Sequence, residues 1–174
     1  MPASSLRPAS AADRPVLERL WQLFAHDISE RSGMLPGADG AFPTERLVAA
    51  FEDADRQPHL VVLDGCPVGF AVVRGLSGPA RVVNAFFVVR SVRRRGVGRE
   101  AATAVLALHP GAWEVPFQDD NAPAVAFWRR VAQDAVGDAW TEERRPVPGR
   151  PDAAPDVWIC FDTSGAPQGP GDLS

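Results

Sequence analysis

One stretch constrains this chain more than any other: Phe86-Phe87-Val88-Val89-Arg90-Ser91-Val92-Arg93-Arg94-Arg95-Gly96-Val97-Gly98-Arg99, which runs straight into an alanine-rich segment at 100–109. The apolar run of aromatic and β-branched residues reads as a buried strand, the arginine and glycine cluster as a tight loop, and 101–108 as a helix. In that order, the unpartnered first amides of the helix and the positive end of its dipole lie beside the glycines. Such an end binds anions. Gly96 and Gly98 let the backbone come close to a ligand, and Arg93, Arg94, Arg95 and Arg99 add positive charge around the same point. The expected guest is a phosphate or pyrophosphate. The spacing is not that of a Walker loop, since no Gly-Lys-Ser/Thr follows and the chain has no lysine, and it is not GxGxxG either.

A second motif lies about twenty residues downstream, where the short apolar strand Trp113-Glu114-Val115-Pro116-Phe117 is followed, after Gln118-Asp119-Asp120, by Asn121-Ala122-Pro123-Ala124-Val125-Ala126-Phe127-Trp128. Asn121 is a good N-cap, and Pro123 is acceptable only in a first helical turn. Arg93-x-x-Gly96-x-Gly98 after an apolar strand resembles the Arg/Gln-x-x-Gly-x-Gly/Ala signature of the GNAT superfamily, the acyl-CoA-dependent N-acyltransferases. The segment opening at Asn121 is similar to the second half of that family's core, where an Asn begins a helix carrying Ala-x-x-Phe-Tyr.

The rest of the chain suits one domain, 4–162, of 174 residues in all, long enough to bury a core. A net charge of −4 and a pI near 5.3 do not favour wholesale nucleic-acid binding, so the arginines act locally. Cys66 and Cys160 are too few for a disulfide framework, and His26, His59 and His109 are dispersed, so no metal site is expected. No signal-like stretch opens the sequence and no run approaches bilayer-spanning length, so a cytoplasmic protein with no membrane partner is expected.

Residues 6–9 read as a short edge strand, and Ser10 to Asp13 as a variant capping box before a helix carrying Val16, Leu17, Leu20, Trp21, Phe24 and Ile28. His26, Asp27 and Glu30 crowd that helix's C-terminal end, where the dipole disfavours acid; the alternatives are a functional cluster and a solvated helix end. Thr44 caps a second helix to Phe51. Strands are expected at 59–63, 68–73, 81–90 and 113–117, with a last antiparallel pair at 135–141 and 157–161. The proline-rich stretch 144–151 reads as a loop bordering the acceptor side or as a mobile surface loop, and 163–174 as a disordered tail.

The resemblance implies an α+β fold with three layers: a central, mostly antiparallel mixed sheet, flanked by helices, that splays between its fourth and fifth strands. It also implies acetyl-CoA, or another acyl-CoA, as co-substrate, and the amine of a small molecule or peptide as acceptor. Backbone groups of Phe86, Phe87 and Val88 would pair with the pantetheine arm, and Arg93, Arg94, Arg95, Gly96, Val97, Gly98 and Arg99 would hold the pyrophosphate. Asn121 and Trp128 would flank the thiol, and the first helices, with His26, Asp27 and Glu30, would wall the acceptor pocket.

Two departures from the family pattern stand out. The tyrosine that serves many members as general acid is absent, as the chain has no tyrosine, and Trp128 stands in its place with an indole N–H of no useful acidity. A thiol of pKa about 8.5 leaves as thiolate largely unaided, so Trp128 either packs or hydrogen-bonds there. No glutamate stands on the central strand, where Asn84 and Ala85 occupy its neighbourhood. Glu114 matches a pattern with the base on the next strand; the alternative is an outward-facing strand residue, and Asp119, Asp120, Asp27 and His26 are reserves. Another acyl donor, a silent acyl-CoA-binding domain and a homodimer all remain compatible with the sequence.

Overall fold

The apolar runs at 56–63, 66–74 and 80–88 pair as an antiparallel meander. The hairpin between the first two turns on Asp64 and Gly65, both with left-handed φ (49° and 79°), as a two-residue Asp-Gly turn requires. The computed structural model describes residues 4–165. Its strands are β1 (Ser4–Pro8), β2 (Arg56–Leu63), β3 (Cys66–Arg74), β4 (Ala80–Val88), β5 (Ala112–Phe117), β6 (Trp140–Arg145) and β7 (Asp156–Asp162), forming one sheet in the order β1-β2-β3-β4-β5-β7-β6. Helices α1 (Arg14–Ser32) and α2 (Glu45–Glu52) cover one face, and α3 (Val97–Leu108) and α4 (Ala122–Val136) the other, giving the expected three layers.

Strand alternation sorts the core. Leu60, Phe70, Val72, Ala85 and Phe87 face Leu17, Leu20, Trp21 and Ala25 of α1 and Leu47 and Ala50 of α2. Ala71, Val73, Val83, Trp113, Val115 and Phe117 face Ala102, Val105 and Leu106 of α3 and Val125, Trp128, Val131 and Ala132 of α4. Burying a side chain such as Phe70 or Leu17, both 0% exposed, contributes about 2 kcal/mol each.

Among the described strands only the β4–β5 pairing is parallel, as its α3 crossover demands, and it covers just Ala80–Val82 against 112–114. Past that point the strands part. A bulge contributes, because Val73 opposes Val83 and Val72 opposes Ala85, leaving Asn84 as the extra residue on β4. β5 pairs along its whole length with β7 on its far side. The splay expected between the fourth and fifth strands is therefore present.

Strands β1 to β3 differ from expectation by up to three residues at their ends, and further boundaries also differ. The stretch 135–141, expected as a strand, is not one: α4 continues to Val136, Gly137 (φ 62°) ends it, and β6 takes Trp140–Arg145, absorbing Arg144 and Arg145 from the expected loop. An edge strand carrying Thr-Glu-Glu-Arg-Arg gives no apolar signal. β4 stops at Val88 and a single 3-10 turn, Arg90–Val92, follows. α3 starts at Val97, immediately after Gly96. Thr163 still belongs to the fold, its amide donating to the Gly111 carbonyl at 2.9 Å, while residues 166–174 of the expected tail lie outside the described residues. Among the described residues no helix is long and apolar enough to cross a membrane, and no group of three His, Cys, Asp or Glu side chains could hold a metal.

Candidate active site

The splay makes the site. Beyond the Val82–Glu114 pair, residues 83–88 of β4 present a strand edge to the gap instead of to β5. Such an edge accepts an extended ligand by main-chain hydrogen bonding. Phe86, Phe87 and Val88 lie on it. On the α3–α4 side the gap is floored by aromatic packing: Phe86 meets Phe127 (centroids 5.6 Å apart) and Trp128 (5.2 Å, edge to face). Trp128 is 8% exposed, and among the described residues no acceptor takes its indole N–H. Asn121 caps α4, its side-chain oxygen accepting from the Ala124 amide at 3.4 Å.

The basic loop lies at the open end of the same strand. Gly96 (φ 86°) and Arg94 (φ 63°) are both left-handed; for Gly96 this costs nothing, whereas Arg94 is strained. Gly98 packs against Phe127 and Val88, where an added Cβ would lie at ordinary contact distances of 3.6 and 3.7 Å. The arginines do not all point the same way. Arg93 donates through Nε to the Val88 carbonyl (2.8 Å), lies over the Phe87 ring and pairs with Asp27 of α1. Arg90 joins the same carboxylate at 2.8 Å, and Arg99 pairs with Asp134 of α4 at 2.7 Å. Among the described residues, Arg94 and Arg95 pair with no carboxylate.

Asp27 thus ties the end of α1 to the loop. Partial burial pushes its carboxyl up, but the hydrogen bonds from Arg93 and Arg90 outweigh that and hold it below the usual carboxylate range. His26 is exposed near Phe42 (centroids 6.4 Å apart), and Glu30 is exposed on the same last turns of α1.

On the α1–α2 side of the sheet one row of paired residues crosses six strands: Arg56, Arg74, Val82, Glu114, Cys160 and Thr141. Glu114 is half-buried at the last paired position before the splay and is ion-paired with Arg145 (3.0 Å), whose guanidinium also holds Glu143 and lies 4.6 Å over Trp158. Those hydrogen bonds, to Glu114 first and then Glu143, raise the Arg145 pKa. Glu114 is therefore both outward-facing and at the mouth of the gap. Asp119 is paired with Arg144 (2.6 Å) beside a concavity of about 590 Å³ that Asp120 and Arg150 also line, between the β5–α4 turn and the β6–β7 loop.

Sequence reasoning passed over Arg46, Arg145 and Gly69. Arg46 of α2 donates to the Asn84 carbonyl at 2.8 Å, just past the point where β4 and β5 part. Gly69 of β3 backs Phe87 and Val88 of β4, and a glycine inside an apolar strand was the available signal. No local signal marked the two arginines.

The GNAT acetyltransferase family model matches residues 18–132. No curated protein sequence matches the chain. Among solved structures, the ribosomal-protein-S18-alanine N-acetyltransferase of Escherichia coli superposes with a TM-score of 0.65 at 12% identity, covering 96% of this chain and 98% of that one. An acetyltransferase from Thermus thermophilus gives 0.66 at 18% identity, with 92% and 97% covered. The ribosomal L7/L12 α-N-protein acetyltransferase RimL, solved with coenzyme A, gives 0.65 at 13%, with 92% and 94% covered. At such identities the structures carry the fold alone, and the family model, spanning more than half of the sequence, carries the rest: this chain belongs to the GNAT acetyltransferase family.

Proposed function

We propose that the protein transfers an acyl group, acetyl in the first instance, from coenzyme A to the primary amine of a small molecule or peptide, by direct attack while both substrates are bound. The observation that carries this reading is the unpaired β4 edge, residues 83–88, ending in a loop where two uncompensated arginines meet the first amides of α3. A pantetheine arm fits the edge, and a diphosphate fits Arg94, Arg95 and the helix end.

The residues then divide the work. A β4 backbone amide polarises the thioester carbonyl, the requirement for attack by a neutral amine. Glu114, at the mouth of the gap on the opposite side from α3, attracts the ammonium form and passes its proton to water. Asn121 holds the start of α4 in place beside the thiol. Trp128 shapes the floor and transfers no proton, so the thiolate departs as such and is protonated by solvent.

Calorimetric titration with acetyl-CoA, free CoA and ATP, together with thiol release over a panel of amines, tests the reading. Saturable, CoA-specific binding with amine-dependent thiol release is the expected result. Binding without release from any amine would leave a silent acyl-CoA-binding domain, and failure to bind CoA would remove the reading altogether. Arg94→Gly separates the loop's two roles. Relief of the left-handed strain should raise the unfolding free energy by about 0.5–1 kcal/mol, while the lost guanidinium should weaken acetyl-CoA binding about tenfold. Chemical denaturation and calorimetry on the same preparation read both.

A further inference from the structure

Three guanidinium groups gather on the α2 side of the sheet next to the splay, and they lack the carboxylates that such a gathering needs. Arg56 and Arg74 are directly paired across β2 and β3, so both side chains project to the face that α2 covers. Arg46 reaches down from α2 over the Trp21 ring, 5.8 Å from its centroid, to the Asn84 carbonyl. Among the described residues, only Arg56 of the three has a carboxylate, Asp53 at 3.1 Å. Asp55, the residue before Arg56, accepts instead from the Gly75 and Ser77 amides and the Ser77 hydroxyl. Among the described residues, Arg74 makes no ion pair or hydrogen bond through its guanidinium, and Arg46 has only the Asn84 carbonyl and the Trp21 ring.

Like charges placed side by side on a sheet destabilise it, and solvent-reachable arginines normally find an acid or splay apart. Here they are held. Solvent reaches Arg46, yet the protein crowds it closely enough that desolvation, and then the neighbouring Arg56 and Arg74, lower its pKa. The cluster is also well placed. Arg46 contacts β4 two residues beyond the last β4–β5 pair, and Glu114 stands across Val82 in the same row as Arg74. Two inter-strand spacings, about 10 Å, separate the Arg74 and Glu114 backbones.

We infer that Arg46 and Arg74 form an anion subsite for the acceptor, so that the preferred acceptor is an amino-carboxylate, its amine at the gap beside Glu114 and its carboxylate between the two arginines. Planar guanidinium groups match a carboxylate's two oxygens, and such charge-assisted bonds are the strong ones. The charge order along the row, cationic at Arg74 and anionic at Glu114, matches the dipolar form of the acceptor. It also disfavours the same amine with its carboxylate blocked.

This assignment rests on the amine-acylation reading, and the test keeps the two apart. Amines are offered in matched pairs, carboxylate against carboxamide: glycine, β-alanine, γ-aminobutyrate and a tetrapeptide with a free or amidated C-terminus. Thiol release gives kcat/KM with acetyl-CoA as donor. In parallel, the same ligands are titrated into CoA-saturated protein while the indole N–H resonance of Trp21, the ring under Arg46, is followed. The expected result is at least a tenfold preference for the carboxylate in one or more pairs, reduced to less than threefold in Arg46→Gln and Arg74→Gln, with calorimetric acetyl-CoA affinity unchanged in both. If no amine releases thiol, the acylation reading fails, while a saturable Trp21 shift specific to carboxylates and lost in the variants still upholds the subsite. Equal response to carboxylate and carboxamide in every pair by both readouts, or a preference that survives both substitutions, overturns it.

Discussion

Gly69→Ala is expected to cost more than about 3 kcal/mol of stability, or to abolish acetyl-CoA binding in whatever fraction folds. A Cβ at Gly69 would stand 2.3 Å from the Phe87 carbonyl oxygen and 3.1 Å from the Val88 Cα, and both obstacles are backbone. No rotamer change relieves such a contact; β3 and β4 must move apart. The segment pushed is Phe87-Val88, the edge to which the proposed function assigns the pantetheine arm, so on that reading stability and binding are lost together. Gly65→Ala is the control. It sits at φ 79° in a hairpin with nothing within 4 Å of the added methyl, so it should cost about 1 kcal/mol and leave binding alone. Urea unfolding and calorimetry on both variants read the comparison. A Gly69→Ala protein with wild-type affinity and a loss no larger than that of Gly65→Ala would show that β4 is not held by this approach.

The second large effect is acid lability at the far end of α3. His59 is completely buried on β2, with its ring against His109 (centroids 5.6 Å apart), and neither of its nitrogens makes a well-aligned hydrogen bond among the described residues. Desolvation first, and His109 second, push its pKa down to about 4, against a weaker upward pull from the backbone of Gln57 and Ala71. The unfolded chain takes up the proton near the ordinary histidine value of about 6.5, so between there and about 4 the unfolded state binds more protons than the folded one. Stability is therefore intact above about 6.5 and falls as the pH drops through this window, by about 3 kcal/mol in all. His109 is shifted the same way, by desolvation and then Arg81. The check compares wild type with His59→Leu by denaturant unfolding at several pH values from 7 to 4. The difference between the two proteins should move in favour of the variant by about 3 kcal/mol as the pH falls. Carboxylate terms are common to both and cancel; a difference that stays constant with pH would exclude His59 as the cause.

Local chemistry carried most of what could be read in advance. The left-handed Gly96, the Asn121 cap and the strand–loop–helix order depend on neighbours in the chain, so the sequence displays them. β6 did not show itself because an edge strand with Thr, Glu and Arg on both faces has no apolar period to detect. The proposed acceptor side was harder still. Arg46 and Asn84 are far apart in sequence, and it is the β4 bulge that brings the Asn84 carbonyl to α2. Glu114 was noticed, but its ion pair with Arg145 arises because β6 returns beside β7, a pairing that no residue near Glu114 announces. Asp27, expected on the acceptor side, is joined instead to Arg90 and Arg93 at the basic loop.

The internal ion pairs of that loop set the reach of its field. Asp27 neutralises the charge of Arg90 and Arg93 in part, and Asp134 that of Arg99, so the free protein holds a cluster of guanidinium groups without the mutual repulsion that would otherwise unfurl it. What is left without a partner among the described residues is the exposed pair Arg94 and Arg95, which adds to the one charge remaining at Asp27 and the one at Asp134, where Arg130 also pairs. The pull of this short pole fades within about 8–10 Å at physiological ionic strength. A pole of that kind discriminates by shape. A diphosphate delivers its charge at one point and collects the whole attraction, whereas an extended polyanion of equal total charge leaves most of itself beyond the field.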